Sequence, residues 1–304
     1  MANCPQAFSR SGDRRECHGV PLWLEETVKL GVLASVNDRS LAIADLARQV
    51  EGAGLESLFL TQNTNVPASG AALLNEEYHH RYRQLLDPFV ALGAAAAVTT
   101  RIRLGTGICV ALLYDPIILA MQVCTLDQVS SGRFVFGIGA GHQDTVQNHG
   151  VSPELRHRIL REKVLAMKAI WAGGNAGFHG EFVDFAPILT GLRPRQEPHP
   201  PILIGSPGSR GIARTVEYAD GWMPIVYEEL DLGAQMQELE RLCQAAGRPA
   251  APVTAGLWEI DEPLMERCAE LGVDRCLVVF HAEDKDSFPA FLERYRRLID
   301  RFAD

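Results

Sequence analysis

Residues 101–142 read RIRLGTGICV ALLYDPIILA MQVCTLDQVS SGRFVFGIGA GH, and they contain one full period of the chain. Ile102–Val110 is a short apolar run with β-branched residues, the pattern of a buried strand. Asp115–Pro116 then opens a helix. An aspartate accepts from the free amides of the first turn, and a proline just inside gives up an N–H that has no partner there. The helix reaches about Ser130, and Gly132 stops it. Arg133–Gly139 is the next strand, so the segment has the form of a parallel βαβ unit.

The same alternation extends in both directions. Val28–Ala34 is the first strand. Its helix is expected to be capped by Ser40, to carry Leu41, Ala44, Leu46, Ala47 and Val50 on one face, and to end at Gly52 and Gly54. Leu58–Thr61 is the second strand. A polar stretch to about Leu86 follows, and Asp87–Pro88 opens the next helix. Beyond Gly139, Ser152–Pro153 is read as the start of a long helix to about Trp171. Residues 173–199 break the rhythm, and the fragment Gly180–Phe185 within them suggests a short hairpin. Ile202–Gly205, Trp222–Val226, Val253–Ile260 and Arg275–Phe280 are the last four strands. Their helices are expected over Ser209–Ala219, about Glu228–Ala246, a short stretch to Leu271, and about Ser287–Phe302.

Eight strands, each followed by a helix, define the expected fold class: an α/β chain folded as a single (β/α)8 TIM barrel. It would span residues 28–304, with a small insertion between helix four and strand five. A doubly wound open sheet fits the alternation less well, because 304 residues and eight repeats suit the barrel. Residues 1–27 hold Arg10, Arg14 and Arg15 with no apolar run behind them. They are expected to form a mobile N-terminal extension, docked in part through Trp23, and not a secretory signal.

Hydrophobic residues make up 47% of the chain and charged residues 22%, the balance of a packed globule. The formal charge of −9 argues against nucleic acid and anionic membrane surfaces as partners. It leaves room for an anionic cofactor, since a few backbone amides suffice to hold a phosphate. No apolar run is long enough to cross a bilayer. The seven cysteines are scattered, odd in number and without a C-x-x-C, which disfavours a disulfide framework or a zinc site. A reducing, cytoplasmic compartment and no metal are the expectation.

In such a barrel the chemistry sits at the C-terminal ends of the strands. Gly137-Ile138-Gly139-Ala140-Gly141-His142 follows strand four and is either a tight turn or a backbone held open for a ligand. Gly205-Ser206-Pro207-Gly208-Ser209 follows strand five and enters a helix, an arrangement suited to phosphate. Thr61-Gln62-Asn63-Thr64-Asn65 offers neutral hydrogen-bonding groups that either hold the polar edges of a ligand or begin a solvated loop. Two glycines in Leu104-Gly105-Thr106-Gly107-Ile108 suggest a bulge or a close ligand approach. Glu259 and Asp261 end strand seven, where they either line the substrate pocket or form a salt bridge at the rim, the plainer reading.

These pieces, in order, carry a resemblance. Arg103–Gly107, Asp115–Pro116, Leu126–Asp127, Ser131–Phe134, Gly137–Gly141, Ala169–Trp171, Gly180–Phe182, Pro198–Ile202 and Ala219–Trp222 together look like the luciferase-like monooxygenase family. The match is closer to its branch dependent on the deazaflavin coenzyme F420. The resemblance covers about residues 28–300. It implies a barrel that binds F420, or alternatively FMN, at the strand ends, with a non-prolyl cis peptide at Gly107–Ile108 behind the ring. It implies that Gly139, Ala140 and Gly141, with Gly205, Ser206, Gly208 and Ser209, hold the ribityl chain and phosphate. Thr61 and Asn63 are then candidates for the ring edge. A homodimer is implied by the same analogy.

One departure matters. Many deazaflavin members carry a histidine after strand two, where this chain has Thr61-Gln62-Asn63. An amide cannot shuttle a proton as imidazole does. Asn63 is therefore a catalytic position with altered chemistry, and His142, His79 and His80 are the histidines to weigh in its place. The leading expectation is hydride transfer between F420 and a small organic substrate. The rivals are an FMN-dependent monooxygenase using O2, a barrel that binds a flavin without turnover, and a barrel hydrolase. The last lacks a carboxylate cluster to support it.

Overall fold

A computed structural model describes residues 28–66, 82–227 and 230–302. Its first half comprises β1 (Lys29–Ser35), α1 (Ile43–Gly52), β2 (Ser57–Leu60), α2 (Pro88–Val98), β3 (Arg103–Thr106), α3 (Pro116–Val129) and β4 (Phe134–Ile138). The second half adds α4 (Gln143–Gln147), α5 (Arg156–Ala172), β5 (Asn175–His179), β6 (Asp184–Leu189), β7 (Ile202–Ile204), α6 (Gly208–Tyr218), β8 (Gly221–Trp222) and β9 (Ile225–Val226). It closes with α7 (Leu232–Ala245), β10 (Thr254–Leu257), α8 (Glu262–Glu270), β11 (Arg275–His281) and α9 (Ser287–Phe302).

Nine strands form one parallel sheet in the order β8-β7-β4-β3-β2-β1-β11-β10-β9. The strands at its two ends are successive pieces of one stretch of chain. β8 pairs with β7, β9 pairs with β10, and Trp222 bridges to Val253, so the sheet curls back on itself. The single strand expected over Trp222–Val226 is thus split in two. Pro224 has no N–H to give a ladder, although its carbonyl still accepts from Gly256 N at 2.8 Å. The hairpin expected between 173 and 199 is β5 paired antiparallel with β6.

Helix openings follow the local chemistry where an aspartate is present. Asp87 accepts from Val90 N, and Asp115 from Ile117 N and Ile118 N, each with proline just inside. Asp261 does the same for α8. The two serine caps expected are not formed. α1 starts three residues after Ser40, whose hydroxyl instead accepts from Asn37 N at 2.7 Å. α5 starts at Arg156 rather than near Ser152–Pro153, because Ser152 Oγ donates locally to Glu154. The third strand ends at Thr106, short of the expected Val110, and Ala111–Leu113 forms a 3-10 turn. The strand expected over Val253–Ile260 shrinks to Thr254–Leu257.

Alternation along the strands sorts side chains into two cores. The larger lies between sheet and helices. The smaller fills the inside of the curl with Leu33, Phe59, Val135, Leu203, Met223 and Leu277. It fits because its neighbours are glycines. A Cβ on Gly105 would stand 2.3 Å from the Phe59 ring, and one on Gly256 would stand 2.5 Å from Ile225 Cδ1.

At the N-terminal ends of the strands, charge serves as a fastener. The Glu51 carboxylate accepts from the backbone amides of Thr100, Arg101 and Ile102. Fully buried Asp127 accepts from Arg195 N, Gln196 N and Gln196 Nε2. Arg133 spends all its donors on Ser130, Thr99, Ile102 and Ala96. Arg275 holds Glu56 through two bonds of 2.6 and 2.7 Å, tying the start of β11 to the entry of β2. Among the described residues no helix is long and apolar enough to cross a membrane.

The Glu56–Arg275 pair makes a prediction. Burial by itself raises the Glu56 pKa, but the Arg275 hydrogen bonds and charge outweigh it and hold the group below its ordinary 4.5. A carboxylate depressed in the folded state contributes stability that is present above 4.5 and is lost as pH falls through the folded value. Glu56→Gln should cost about 3 kcal/mol at pH 7, the scale for removing one partner of a largely buried pair. It should also flatten the acid limb of stability below pH 4.5. Urea unfolding of both proteins from pH 7 downward measures both effects.

Candidate active site

The inward positions continue past the inner core to the C-terminal mouth. Following the register by steps of two, Leu33 leads to Ser35, Phe59 to Thr61, Gly105 to Gly107, Leu203 to Gly205, and Val279 to His281. The β4 path runs from Val135 through Gly137 to Gly139. The mouth therefore has two unlike halves. The ends of β3, β4 and β7 present Gly107, Gly139 and Gly205. The ends of β1, β2 and β11 present Ser35, Thr61 and His281.

The glycine half is built around Ile108. The Gly107–Ile108 peptide bond is cis, at the place the resemblance implies. The Ile108 side chain then lies against the ends of β4 and β7. A Cβ on Gly139 would meet Ile108 Cδ1 at 2.8 Å, and one on Gly205 would meet Ile108 Cγ2 at 2.2 Å. Gly107 faces Leu33 Cδ1 at 2.4 Å by the same measure, and Gly137 faces the Thr106 carbonyl at 2.0 Å. The main chain knits the ends together: Gly139 N donates to Cys109 O, and Gly205 N to Ile138 O. Four of the expected cofactor residues, Gly107, Ile108, Gly139 and Gly205, thus form one surface, and Ala140 continues it, largely buried.

Beyond that surface the chain enters α6. Trp222 Nε1 donates to Ser206 O at 2.8 Å and pins the turn. Gly208 has φ +76°, a conformation side chains rarely adopt, and a Cβ there would meet nothing within 4 Å. Ser209 is exposed in the first turn of α6. Gly141 also has a positive φ, +66°, but a Cβ on it would meet Val110 Cγ1 at 2.7 Å, so it serves packing as well.

Much of the polar run after β2 is occupied within the protein. Gln62 accepts from Val110 N at 2.8 Å and donates to the Tyr114 hydroxyl. Burial is the main reason that this phenol's pKa is pushed up beyond the usual tyrosine range. Asn63 Nδ2 donates to Tyr82 O at 3.1 Å. Thr64 and Asn65 bond His149, Asn148 and the Thr145 carbonyl, which joins this loop to α4. Thr61 is the member of the run at an inward mouth position.

His142 precedes α4 without capping it. It is 42% exposed, with Nδ1 3.6 Å from Asp144. His79 and His80 lie outside the described residues, as do residues 1–27. Glu259 pairs with Arg294 at 2.9 Å, the rim salt bridge expected, and Asp261 caps α8. Among the described residues no three histidine, cysteine, aspartate or glutamate side chains come together as a metal-holding group. A cavity of about 790 Å³ opens between α7 and α8, lined by Tyr227, Leu257, Trp258, Leu264 and Cys268. Glu259 also lines it, while the expected cofactor residues do not.

Two mouth residues escaped the sequence reading. Ser35 is buried at the end of β1, and its hydroxyl has no hydrogen-bond partner among the described residues. His281 is the last residue of β11, with Trp258 and Tyr82 rings centred 5.6 and 5.8 Å away. The signal for both was their parity: each lies an even number of residues beyond an inward leucine. It was hidden because strand ends cannot be read to one residue from propensity.

Comparison with known proteins shows the family. A family model described as luciferase-like monooxygenase matches residues 30–258, and the chain belongs to that family. An uncharacterised protein of Mycobacterium tuberculosis is 36% identical over 278 residues, covering 87% of this chain and 96% of that protein. The F420-dependent glucose-6-phosphate dehydrogenase of Kineococcus radiotolerans is 29% identical over 240 residues, 77% of this chain and 66% of that one. Among solved structures, the monooxygenase RslO1 of Streptomyces bottropensis superposes with a TM-score of 0.64 at 19% identity, covering 91% of this chain and 84% of that chain, a likeness of fold.

The buried Gln62 bridge is directly testable. Gln62→Leu leaves Val110 N without its acceptor and should cost about 1–3 kcal/mol, the scale for stranding a buried polar group. Chemical denaturation reads the loss.

Proposed function

We propose that this chain is a deazaflavin-dependent oxidoreductase that moves hydride between coenzyme F420 and a small organic substrate. The proposed frame is a single (β/α)8 barrel over residues 28–304, obtained by counting β8 and β9 as one strand of a closed sheet. The observation that carries the reading is the mouth itself: an apolar surface at Ile108 with its glycine neighbours, and a buried Ser35 hydroxyl that has no partner among the described residues. A flat ring with polar edges fits that pairing, because Ile108 offers an apolar face and the hydroxyl offers a hydrogen bond. The name of the Kineococcus relative supports F420 as the ring.

In this reading Ile108 and Gly107 back the ring, and Thr61 and Ser35 meet its polar edge. Ala140 and Gly141 flank the ribityl chain. Ser206, Gly208 and Ser209 hold the phosphate with their amides and hydroxyls at the start of α6. When bound, the cofactor supplies a carbon that gives or takes hydride. The protein orients the substrate against that carbon and keeps water away. Asn63 acts on this site through Tyr82, whose carbonyl it holds. His142, turned toward Asp144, is assigned no proton transfer.

The family description favours a second reading, in which reduced FMN reacts with O2 and oxygenates the substrate. Equilibrium titration with F420 and with FMN separates them. Tighter F420 binding supports hydride transfer. Tighter FMN binding, with oxygen consumed on turnover, supports the second reading. Binding of neither overturns both. Gly208→Val should weaken the preferred cofactor by about 1–3 kcal/mol through lost hydrogen bonds and strain at positive φ, while the protein stays folded. Unchanged affinity removes that loop from the site.

A cytoplasmic location and a homodimer complete the proposal. Free, buried thiols at Cys109, Cys124, Cys243, Cys268 and Cys276 suit a reducing compartment. For the dimer, Val90 on α2 is 75% exposed, and Ile118, Met121 and Val129 on α3 are 52–55% exposed. Neither helix turns a charged side chain outward, since Asp127 is buried. A second copy seated there strands no charge. Met121→Glu should shift the protein toward monomer in sedimentation at fixed concentration, without loss of secondary structure.

A further inference from the structure

We propose that His281 is the catalytic proton-transfer residue of this site, taking the role that Asn63 cannot perform after β2. The inference rests on the hydride-transfer reading above and adds the group that handles the proton. Six histidines lie among the described residues. His142 faces Asp144 and solvent, His149 bonds Thr64, and His179 pairs with Asp184 on the hairpin. His157 belongs to α5, and His199 precedes β7 at the opposite end of the sheet, with its ring 5.4 Å from Trp171. His281 alone of the six ends a strand of the sheet, on the face shared by Leu277 and Val279.

Its surroundings support the assignment. In register it stands beside Ser35, whose buried hydroxyl has no partner among the described residues. The Trp258 ring lies 5.6 Å away, tilted by 36°, and Tyr82 meets the imidazole edge-on at 5.8 Å and 81°. These rings limit how the imidazole can turn and lower the polarity around it. Tyr82 is itself held in place: Asn63 Nδ2 donates to its carbonyl, Asn37 bridges to Leu85, and Leu86 N donates to Val36 O. The amide that replaces the family's histidine is thus committed to holding the wall of a different histidine. The proton donor has moved from the end of β2 to the end of β11.

The step balances as follows. As a carbonyl carbon receives hydride from the reduced deazaflavin, the His281 imidazolium gives its proton to the carbonyl oxygen. The carbon–oxygen π bond is replaced by C–H and O–H bonds, and an alcohol, the oxidised deazaflavin and neutral imidazole remain. The proton that the deazaflavin sheds on oxidation restores the imidazolium. Alcohol oxidation runs the same steps backward. The proposed substrate is an aldehyde or ketone, reduced to its alcohol.

The test uses the full chain. Dissociation constants for F420 and FMN are measured for wild type, His281→Asn, His281→Gln, His281→Ala and the surface control His179→Asn. Single-turnover oxidation of bound reduced F420 is then followed with a panel of aliphatic and aromatic aldehydes and ketones. The expected result is cofactor affinity within about twofold for all variants. Turnover should be slowed on the order of 10²–10⁴-fold in each His281 variant and unchanged in His179→Asn. Added imidazole should restore His281→Ala at least about tenfold, a rescue that a purely structural role does not give. Normal cofactor binding with unimpaired turnover, or slowed turnover without rescue, overturns the proposal. If wild type reduces no carbonyl of the panel, acylation of His281 by diethyl pyrocarbonate decides. Protection by bound F420 supports a place in the site, and equal labelling with and without it overturns the assignment. Failure to bind either cofactor overturns the functional reading, and the inference falls with it.

Discussion

The packing of the ends of β4 and β7 against Ile108, which follows β3, is the constraint from which the mouth follows. Strands β3, β4 and β7 come together so closely that Gly107, Gly137, Gly139 and Gly205 leave no room for a Cβ. Larger residues there would force the strand ends apart, and a close-packed interior accommodates such shifts poorly. Ile108 fills the space left at Gly139 and Gly205, and Leu33 fills that at Gly107, which gives the mouth an apolar floor. The inner core below follows the same rule, with Phe59 occupying volume that Gly105 releases.

The two ends of the sheet divide stability from chemistry. Charged side chains at the N-terminal end spend their hydrogen bonds on backbone: Glu51 on the turn before β3, Asp127 on residues 195–196, and Arg133 on the end of α2. Asp220 likewise accepts from Ile202 N at the start of β7. The C-terminal end is poor in such fasteners and rich in glycine, hydroxyl, amide and aromatic groups. Ser35 Oγ at this end is buried with no hydrogen-bond partner among the described residues.

This division explains why the family was legible before the site was. Several of the motif residues that carry the resemblance are fasteners. Leu126–Asp127 and Ser131–Phe134 contain Asp127 and Arg133, and Ala219–Trp222 contains Asp220. Trp171 donates to Ala120 O and stacks near His199. Their chemistry is tied to fixed backbone partners, so their spacing along the chain is constrained. The residues at the mouth have fewer fixed backbone partners, so their identity is less constrained by the fold.

The sequence by itself determined the alternation of strands and helices, the aspartate–proline helix starts, the glycine-bearing ends of β3, β4 and β7, and the family. Each of these is a local matter of periodicity, capping or conformational freedom, and such signals need no knowledge of distant neighbours. Tertiary structure alone decided how Trp222–Val226 divides between two neighbouring strands, that Ser40 and Ser152 spend their hydroxyls away from helix starts, and that Asn63 holds Tyr82. It also decided that Ser35 and His281 stand side by side at the mouth, 246 residues apart in the chain. Those outcomes depend on register and on which groups compete for one hydrogen bond, and both are settled only when remote segments close on each other.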